Sequence, residues 1–302
     1  MCHPAKPALA APGKLYRRDR VRTAGGATLP PRRPPGRGAH SWQGNTKVIT
    51  VGILGEVDTM GDGRWVEVGP GVLARRYEGL DLTVGLVIGE GACLVVDTRG
   101  DERQGAEFAA AVREVTPHPW TVVLTHAHYD HAHGLAAFLP CEAWAHPGCR
   151  AAMASDGRQA LPQLLVTDTA ELNVGGRAVL LRHFGPAHTD HDLVVHVPDC
   201  DVVFAGDLLE HAPGGSFTTE SFGPDTSLGT WHGAVERILA LDPAVVVPGH
   251  GEPAGPEFAG LCRDQLIALA ALRREIEAGK LALEEAQARS PLPADVTLAA
   301  LA

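Results

Sequence analysis

The alternation of apolar and polar positions divides the chain into an opening without period and a long series of short apolar runs interleaved with helical spacing. Residues 72–77 and 82–88 alternate as strands do, with Gly79 and Gly85 as turn or bulge residues. Residues 92–96 form a continuous apolar run that stops at Asp97. From 101 to 115 the spacing becomes helical: Phe108, Val112 and Val115 fall on one face, and Asp101 is placed to cap the start. Residues 120–124 are again apolar and β-branched, the signature of a buried strand. Beyond them the pattern predicts a helical turn at 135–139, a strand at 143–145, a helix at 147–154 and a mixed segment at 164–172. Gly175-Gly176 turns the chain into a strand at 177–182, and further strands follow at 193–197, 202–205 and 244–247. Helical spacing returns at 226–241 and at 256–279, the latter with Pro at its start and Gly at its end. A short helix at 281–289 is expected to close the chain. Strands alternating with helices predict a sheet with helices packed on it.

Residues 1–50 show no hydrophobic period and are rich in Pro, Gly and Arg, as in Pro30-Pro31-Arg32-Arg33-Pro34-Pro35. Such a composition cannot bury enough apolar surface to offset the entropy of ordering. With residues 51–59 ambiguous, the expectation is a disordered extension over 1–59 and one folded domain over 60–302, with Met60 a natural beginning.

Composition sharpens this. At 302 residues and 45% hydrophobic content the chain can build a sizeable core, but aromatics are only 5%, so Val, Leu and Ala must fill it. The net charge of −10 is uneven: residues 1–50 carry +9 and the remainder −19. An acidic body repels phosphate backbones, which argues against a nucleic-acid partner. The six cysteines at 2, 93, 141, 149, 200 and 262 include no C-x-x-C pair and read as reduced, small core residues. No run approaches the roughly 18 apolar residues of a membrane span. No apolar region follows Arg17-Arg18 to make an export signal. The expected location is the cytoplasm.

The chemistry concentrates directly after the strand at 120–124. His126, His128, Asp130, His131 and His133 put five metal-capable side chains within eight positions. Side chains at i and i+2 do not share a helical face, so a loop is expected to carry them. Imidazole and carboxylate suit zinc and related divalent metals. In open α/β sheets ligands collect beyond the carboxyl ends of strands. Asp97, His126, His188, Asp207 and His250 each follow an apolar strand, so the ends of separate strands can meet at one site.

The string His126-x-His128-x-Asp130-His131 resembles the signature of the metallo-β-lactamase superfamily. The resemblance continues in the family's order with Asp97, His188 after Gly-Pro-Ala, Asp207 in Ala-Gly-Asp, and His250 in Pro-Gly-His-Gly, covering roughly residues 65–255. It implies an α/β fold, an αβ/βα sandwich of two mixed sheets flanked by helices, and a two-metal site, usually zinc, with iron or manganese as alternatives. One metal would take His126, His128 and His188, the other Asp130, His131 and His250, with Asp207 bridging and Asp97 holding a ligand histidine from behind. Catalytic roles are implied for Asp130 and Asp207. A metal-bridging hydroxide would cleave an ester, thioester, lactone or amide of a small molecule. Asp207 aligns the chain with the glyoxalase II-like and lactonase-like branch, since antibiotic-hydrolysing members generally lack a bridging Asp there. An iron-dependent oxidoreductase of the persulfide dioxygenase kind is the alternative, and a true β-lactamase a further one.

Other side chains near these motifs are pocket candidates. Tyr129 reads either as orienting substrate or as packing, and His133 as lining solvent or supporting a ligand. His191 reads as lining the pocket or as exposed. Glu210 and His211 open the Gly-rich loop 211–225, which either covers the cleft or crosses the surface. No G-x-S-x-G elbow supports a serine hydrolase. The apolar side of helix 256–279 offers a face for a second copy of the chain.

Overall fold

The computed structural model describes residues 63–213 and 215–302. The expected extension over 1–59 and the domain boundary at 60 lie outside the described residues. Two β-sheets form the centre. The first has seven strands in the order β1 (Arg64–Gly69), β2 (Val72–Arg76), β3 (Thr83–Ile88), β4 (Cys93–Val96), β5 (Trp120–Val123), β6 (Ala143–Ala145) and β7 (Leu164–Leu165). Its first four strands pair antiparallel and its last four parallel, because helical crossovers join β4 to β5 and β6 to β7. The second sheet runs β12 (Val245–Gly251), β11 (Val202–His211), β10 (Leu193–Val197), β9 (Arg177–His183), β8 (Thr169–Val174). All its pairs are antiparallel except β11 with β12, which α4 (Leu228–Leu239) connects.

The inner faces of the sheets meet through branched aliphatics such as Val87, Leu94, Val123, Leu181 and Val195, all fully buried. On the outer face of the first sheet, α1 (Glu102–Val115) packs Phe108 and Val112 against Leu86, Val95 and Val122. On the second, α4 and α5 (Pro256–Glu277) bring Trp231, Val235, Leu266 and Leu269 down onto Val203, Ala205 and Val246. The molecule is therefore helix, sheet, sheet, helix. Each fully buried Leu or Val contributes about 1.5–3 kcal/mol relative to an exposed one. Asp101 caps α1 by accepting from the Gln104 N–H at 2.7 Å. Among the described residues Cys93, Cys149 and Cys262 are buried and all cysteines are free thiols.

One local expectation is explained and three are corrected. Residues 164–172 read as mixed because β7 ends one sheet there and β8 begins the other. Residues 294–301 add a last helix, α7 (Ala294–Leu301), beyond α6 (Leu283–Arg289). Asp207 and His250 do not follow their strands but lie inside them, because β11 and β12 continue pairing past the apolar run with irregular register. The cluster is not wholly a loop: α2 (Tyr129–Ala132) is one helical turn that carries Asp130 and His131 on adjacent positions.

Candidate metal centre

Strand ends and strand tips bring seven side chains to one place. His126 and His128 leave the end of β5, Asp130 and His131 sit on α2, His188 follows β9, Asp207 lies in β11 and His250 in β12. They divide into two groups, His126, His128, His188 and Asp207, and Asp130, His131 and His250, each with its ligating atoms within 4.8 Å of one another. Asp207 spans the groups: its Oδ2 is 3.5 Å from His126 Nε2, 3.6 Å from His188 Nε2 and 3.3 Å from His250 Nε2, while Oδ1 is 3.1 Å from His131 Nε2. Asp130 Oδ2 lies 3.4 Å from His250 Nε2. Ligand atoms about 2.05 Å from a tetrahedral zinc would be about 3.3 Å apart, so this spacing fits a divalent ion in each group.

Each imidazole is held so that one defined nitrogen faces the centre. His131 donates its Nδ1–H to Asp97 Oδ2 at 2.8 Å. Thr125 Oγ1 donates to the same oxygen at 2.8 Å, which leaves it to accept from His126 Nδ1 at 3.0 Å. Asp97 therefore fixes His131 directly and His126 through Thr125, and it also accepts the Thr125 backbone N–H at 2.7 Å. His188 donates Nδ1–H to the Ser221 carbonyl at 3.2 Å, and His250 donates Nδ1–H to the Leu80 carbonyl at 2.8 Å. His128 is turned the other way: Nε2 meets Asp225 Oδ2 at 3.1 Å and Nδ1 faces His188 Nε2 at 3.0 Å. Buried His126 Nε2 and Asp207 Oδ1 have no hydrogen-bond partner, as donors reserved for a cation would.

The electrostatics agree. Burial works to neutralise every imidazole here, and it prevails at His126, held well below the usual range, and at His188, lowered to about 4. At His131 and His250 burial is outweighed by the carboxylates, chiefly Asp207, which raise His131 well above its ordinary value and His250 to about 9. Burial opposes ionisation of Asp207, yet His131, His250 and His126 hold its carboxyl well below the usual range. The centre is thus a place of negative potential, built from donors that bind a metal when the histidines are neutral.

The backbone is shaped to permit this. A Cβ at Gly249 would lie 1.8 Å from Asp207 Oδ1, so only glycine lets β12 pass the carboxylate. Asp97 has φ 64° and Leu80 φ 59°, left-handed conformations rare outside glycine. Both hold histidines of the candidate centre, and strain of this kind persists where the surroundings impose it.

The pocket candidates separate. Tyr129 and Glu210 line the cleft over the centre with Asp130, Asp207 and His250. Glu210 is buried, accepts from Ser221 Oγ at 2.7 Å, and has its carboxyl pushed up to about 8 by burial and then by Asp207. His133, His191 and His211 do not line it. His191 is buried behind the cluster, where Nε2 accepts the Ala127 N–H at 3.2 Å and Nδ1 meets Asp190 at 2.6 Å. His211 stacks on Phe258 at 4.2 Å and donates Nδ1–H to the Glu252 carbonyl. His133 lies against Tyr129, their rings 6.3 Å apart, past the end of α2. His191 and His211 are taken up by other segments, whereas His133 packs beside the turn that it ends. The loop after β11 proves to be more than a surface crossover, since Ser221 and Asp225 hold His188 and His128 of the candidate centre. Asp225 itself carried no local signal in the sequence beyond its place in that loop.

A family model described as the metallo-beta-lactamase superfamily matches residues 80–250. The probable metallo-hydrolase YqgX of Bacillus subtilis (strain 168) is 29% identical over 208 residues, 62% of this chain and 89% of that protein. The 2,4-dinitroanisole O-demethylase subunit alpha of Nocardioides sp. (strain JS1661) is 25% identical over 169 residues, 54% of this chain; the match spans 50% of that protein's length. Among solved structures, the metallo-β-lactamase FIM-1 from Pseudomonas aeruginosa in its mono-zinc form superposes with a TM-score of 0.59 at 24% identity, over 69% of this chain and 96% of that one. That likeness is one of fold.

Proposed function

From the chain's membership of the metallo-β-lactamase superfamily, we propose that it is a hydrolase that uses two divalent cations, zinc in the first instance, to cleave an ester, thioester, lactone or amide of a small molecule. The observation that carries this reading is the set of five imidazoles, each held by a separate hydrogen bond, with the remaining nitrogen of His126, His131, His188 and His250 facing Asp207 and that of His128 facing His188. His126, His128 and His188 would hold one cation, Asp130, His131 and His250 the other, and Asp207 would touch both. When bound, such a pair supplies Lewis acidity toward the carbonyl oxygen and acidifies water toward neutrality.

The chain's own groups do the rest. Asp97 lets His126 and His131 act only through Nε2, which keeps their donor strength and direction constant. In hydrolysis the bond from carbonyl carbon to the leaving atom breaks, a bond to the water oxygen forms, and one water proton ends on the leaving atom. Asp130, which lines the cleft and is 7% exposed, would be the carboxylate that carries that proton.

The donor set is entirely nitrogen and oxygen, without a thiolate, and so also suits iron or manganese. That supports a second reading, an iron-dependent oxidoreductase on the same residues. Elemental analysis of the purified protein, followed by a hydrolase panel with and without chelator and an oxygen electrode, separates the two. Two metals per chain with chelator-sensitive ester or lactone cleavage supports the hydrolase. Fewer than one metal per chain after zinc-replete expression removes it, and iron with oxygen uptake replaces it by the second reading.

A further inference from the structure

The cleft above the metal-ligand groups has a volume of about 500 Å³ and an unusual balance of charge. Apart from His128 and His250 of the candidate centre, every ionisable side chain that lines it, Tyr129 aside, is acidic: Asp81, Asp130, Asp207, Glu210 and Glu220. No lysine or arginine lines it among the described residues. The two guanidinium groups in the adjoining groove, Arg64 and Arg76, are already engaged, Arg64 with Glu252 and Arg76 with both Asp81 and Glu252. Asp130 and Asp207 belong to the ligand set, and Asp81 is neutralised by Arg76. Glu220 remains as the carboxylate facing whatever enters, and Glu210, buried and held by Ser221 Oγ, adds no positive charge. A substrate carboxylate, sulfonate or phosphate would find no side-chain cation to pair with, and burying it unpaired is costly.

The apolar part of the lining is equally specific. Leu80 and Tyr129 line the cleft yet are 57% and 55% exposed, among the most exposed large apolar side chains of the described residues. Ala212 and Pro213 add small apolar surface. Leu80 is held there in a left-handed backbone conformation, with its carbonyl accepting from His250 Nδ1 at 2.8 Å, which ties the lip of the cleft to the candidate centre. Apolar side chains kept exposed against a reactive centre mark a surface that a ligand covers.

We propose that this cleft selects an uncharged acyl compound, an ester or lactone whose apolar acyl chain lies against Leu80 and Tyr129 and which carries no carboxylate or phosphate. The proposal rests on the metal-dependent reading above for the chemistry, and on the lining alone for the selectivity. Thioesters of anionic carriers are disfavoured by the same lining.

The test separates binding from turnover by using three hydroxamic acids with the same six-carbon chain and the same metal-binding head: hexanohydroxamic acid, its terminal carboxylate analogue and its terminal amine analogue. Calorimetric titration of the zinc-loaded protein is expected to give hexanohydroxamate about tenfold tighter binding than the carboxylate analogue, from lost apolar burial and unpaired charge. Leu80→Ser with Tyr129→Ser is expected to abolish that advantage by weakening hexanohydroxamate alone, and Glu220→Lys to improve the carboxylate analogue. Equal or tighter binding of either charged analogue by the unaltered protein overturns the proposal. Absence of binding by all three overturns it together with the metal reading. If the selectivity holds but no ester or lactone of the same chain is turned over, the hydrolytic reading falls while the selectivity stands.

Discussion

Asp225 reaches across 97 positions of sequence to place its Oδ2 3.1 Å from His128 Nε2, and so makes the loop after β11 part of the candidate metal centre. Both side chains are partly exposed, 36% and 40%, so the pair has little stabilising value as an ion pair in water. Its value lies in orientation, since it turns His128 Nδ1 toward His188. Asp225→Asn is expected to lower zinc affinity in the first group by about tenfold, toward the low end of the range for such outer partners. Competition with a chromophoric chelator measures this. Asp225→Glu should recover part of the loss, whereas a change confined to loop folding would not respond to that substitution.

Asp97 stands behind both groups, and its removal is expected to be more damaging. It accepts from His131 Nδ1, Thr125 Oγ1 and the Thr125 N–H. Asp97→Ala should reduce metal content in both groups, seen as a stoichiometry falling toward zero rather than toward one. It should also lower stability by about 1–3 kcal/mol, because buried donors lose their acceptor. Chemical denaturation with chelator present isolates the second effect.

Chelation itself should destabilise the protein. A metal held at a hundredfold excess over its Kd contributes about 2.7 kcal/mol, and each kcal/mol is worth about 2–4 °C in a domain of this size. Calorimetry with and without chelator should therefore show a Tm lower by about 5–10 °C, restored on adding zinc. An unchanged Tm would mean that none of the seven side chains engages an ion.

Gly249 makes a sharper test of the bridging position. An alanine Cβ would fall 1.8 Å from Asp207 Oδ1 and 2.9 Å from the Gly206 carbonyl carbon, so the carboxylate must swing away. Gly249→Ala is expected to keep the fold, at a cost of about 1–3 kcal/mol, while losing most of its bound metal. Circular dichroism checks the first statement and elemental analysis the second.

His146 predicts an acid limit away from the metal centre. Its Nδ1 accepts the Gly148 N–H at the start of α3 (Pro147–Ser155), and its ring stacks on His183 at 4.4 Å. Burial, with the His183 ring next in effect, lowers its pKa to about 4, against about 6.5 in the unfolded chain. The folded state thus prefers the neutral ring. The contribution is present in full above pH 6.5 and is lost as pH falls toward 4. His146→Asn keeps a helix cap but does not titrate. Its Tm should fall less between pH 7 and pH 5 than that of the unaltered protein, and an identical decline would refute the assignment.

The residue types that chemistry demands were legible one by one along the chain. A histidine or aspartate that ends a run of Val and Leu is conspicuous, so Asp97, His126, His188, Asp207 and His250 stood out, and the spacing of 126–131 stood out further. The sheets were legible for the same local reason, since a strand between two layers must be continuously apolar. What the chain could not display one position at a time is which nitrogen of each ring faces inward. That depends on backbone carbonyls at Leu80 and Ser221 and on the carboxylate of Asp225, and any residue type supplies a carbonyl. Nor could it show that His191 and His211 turn away from the cleft, because the groups that claim them come from other segments. Residue chemistry is written locally, whereas the direction of a side chain is set by partners tens to hundreds of positions away, and these meet only when the two sheets close on each other.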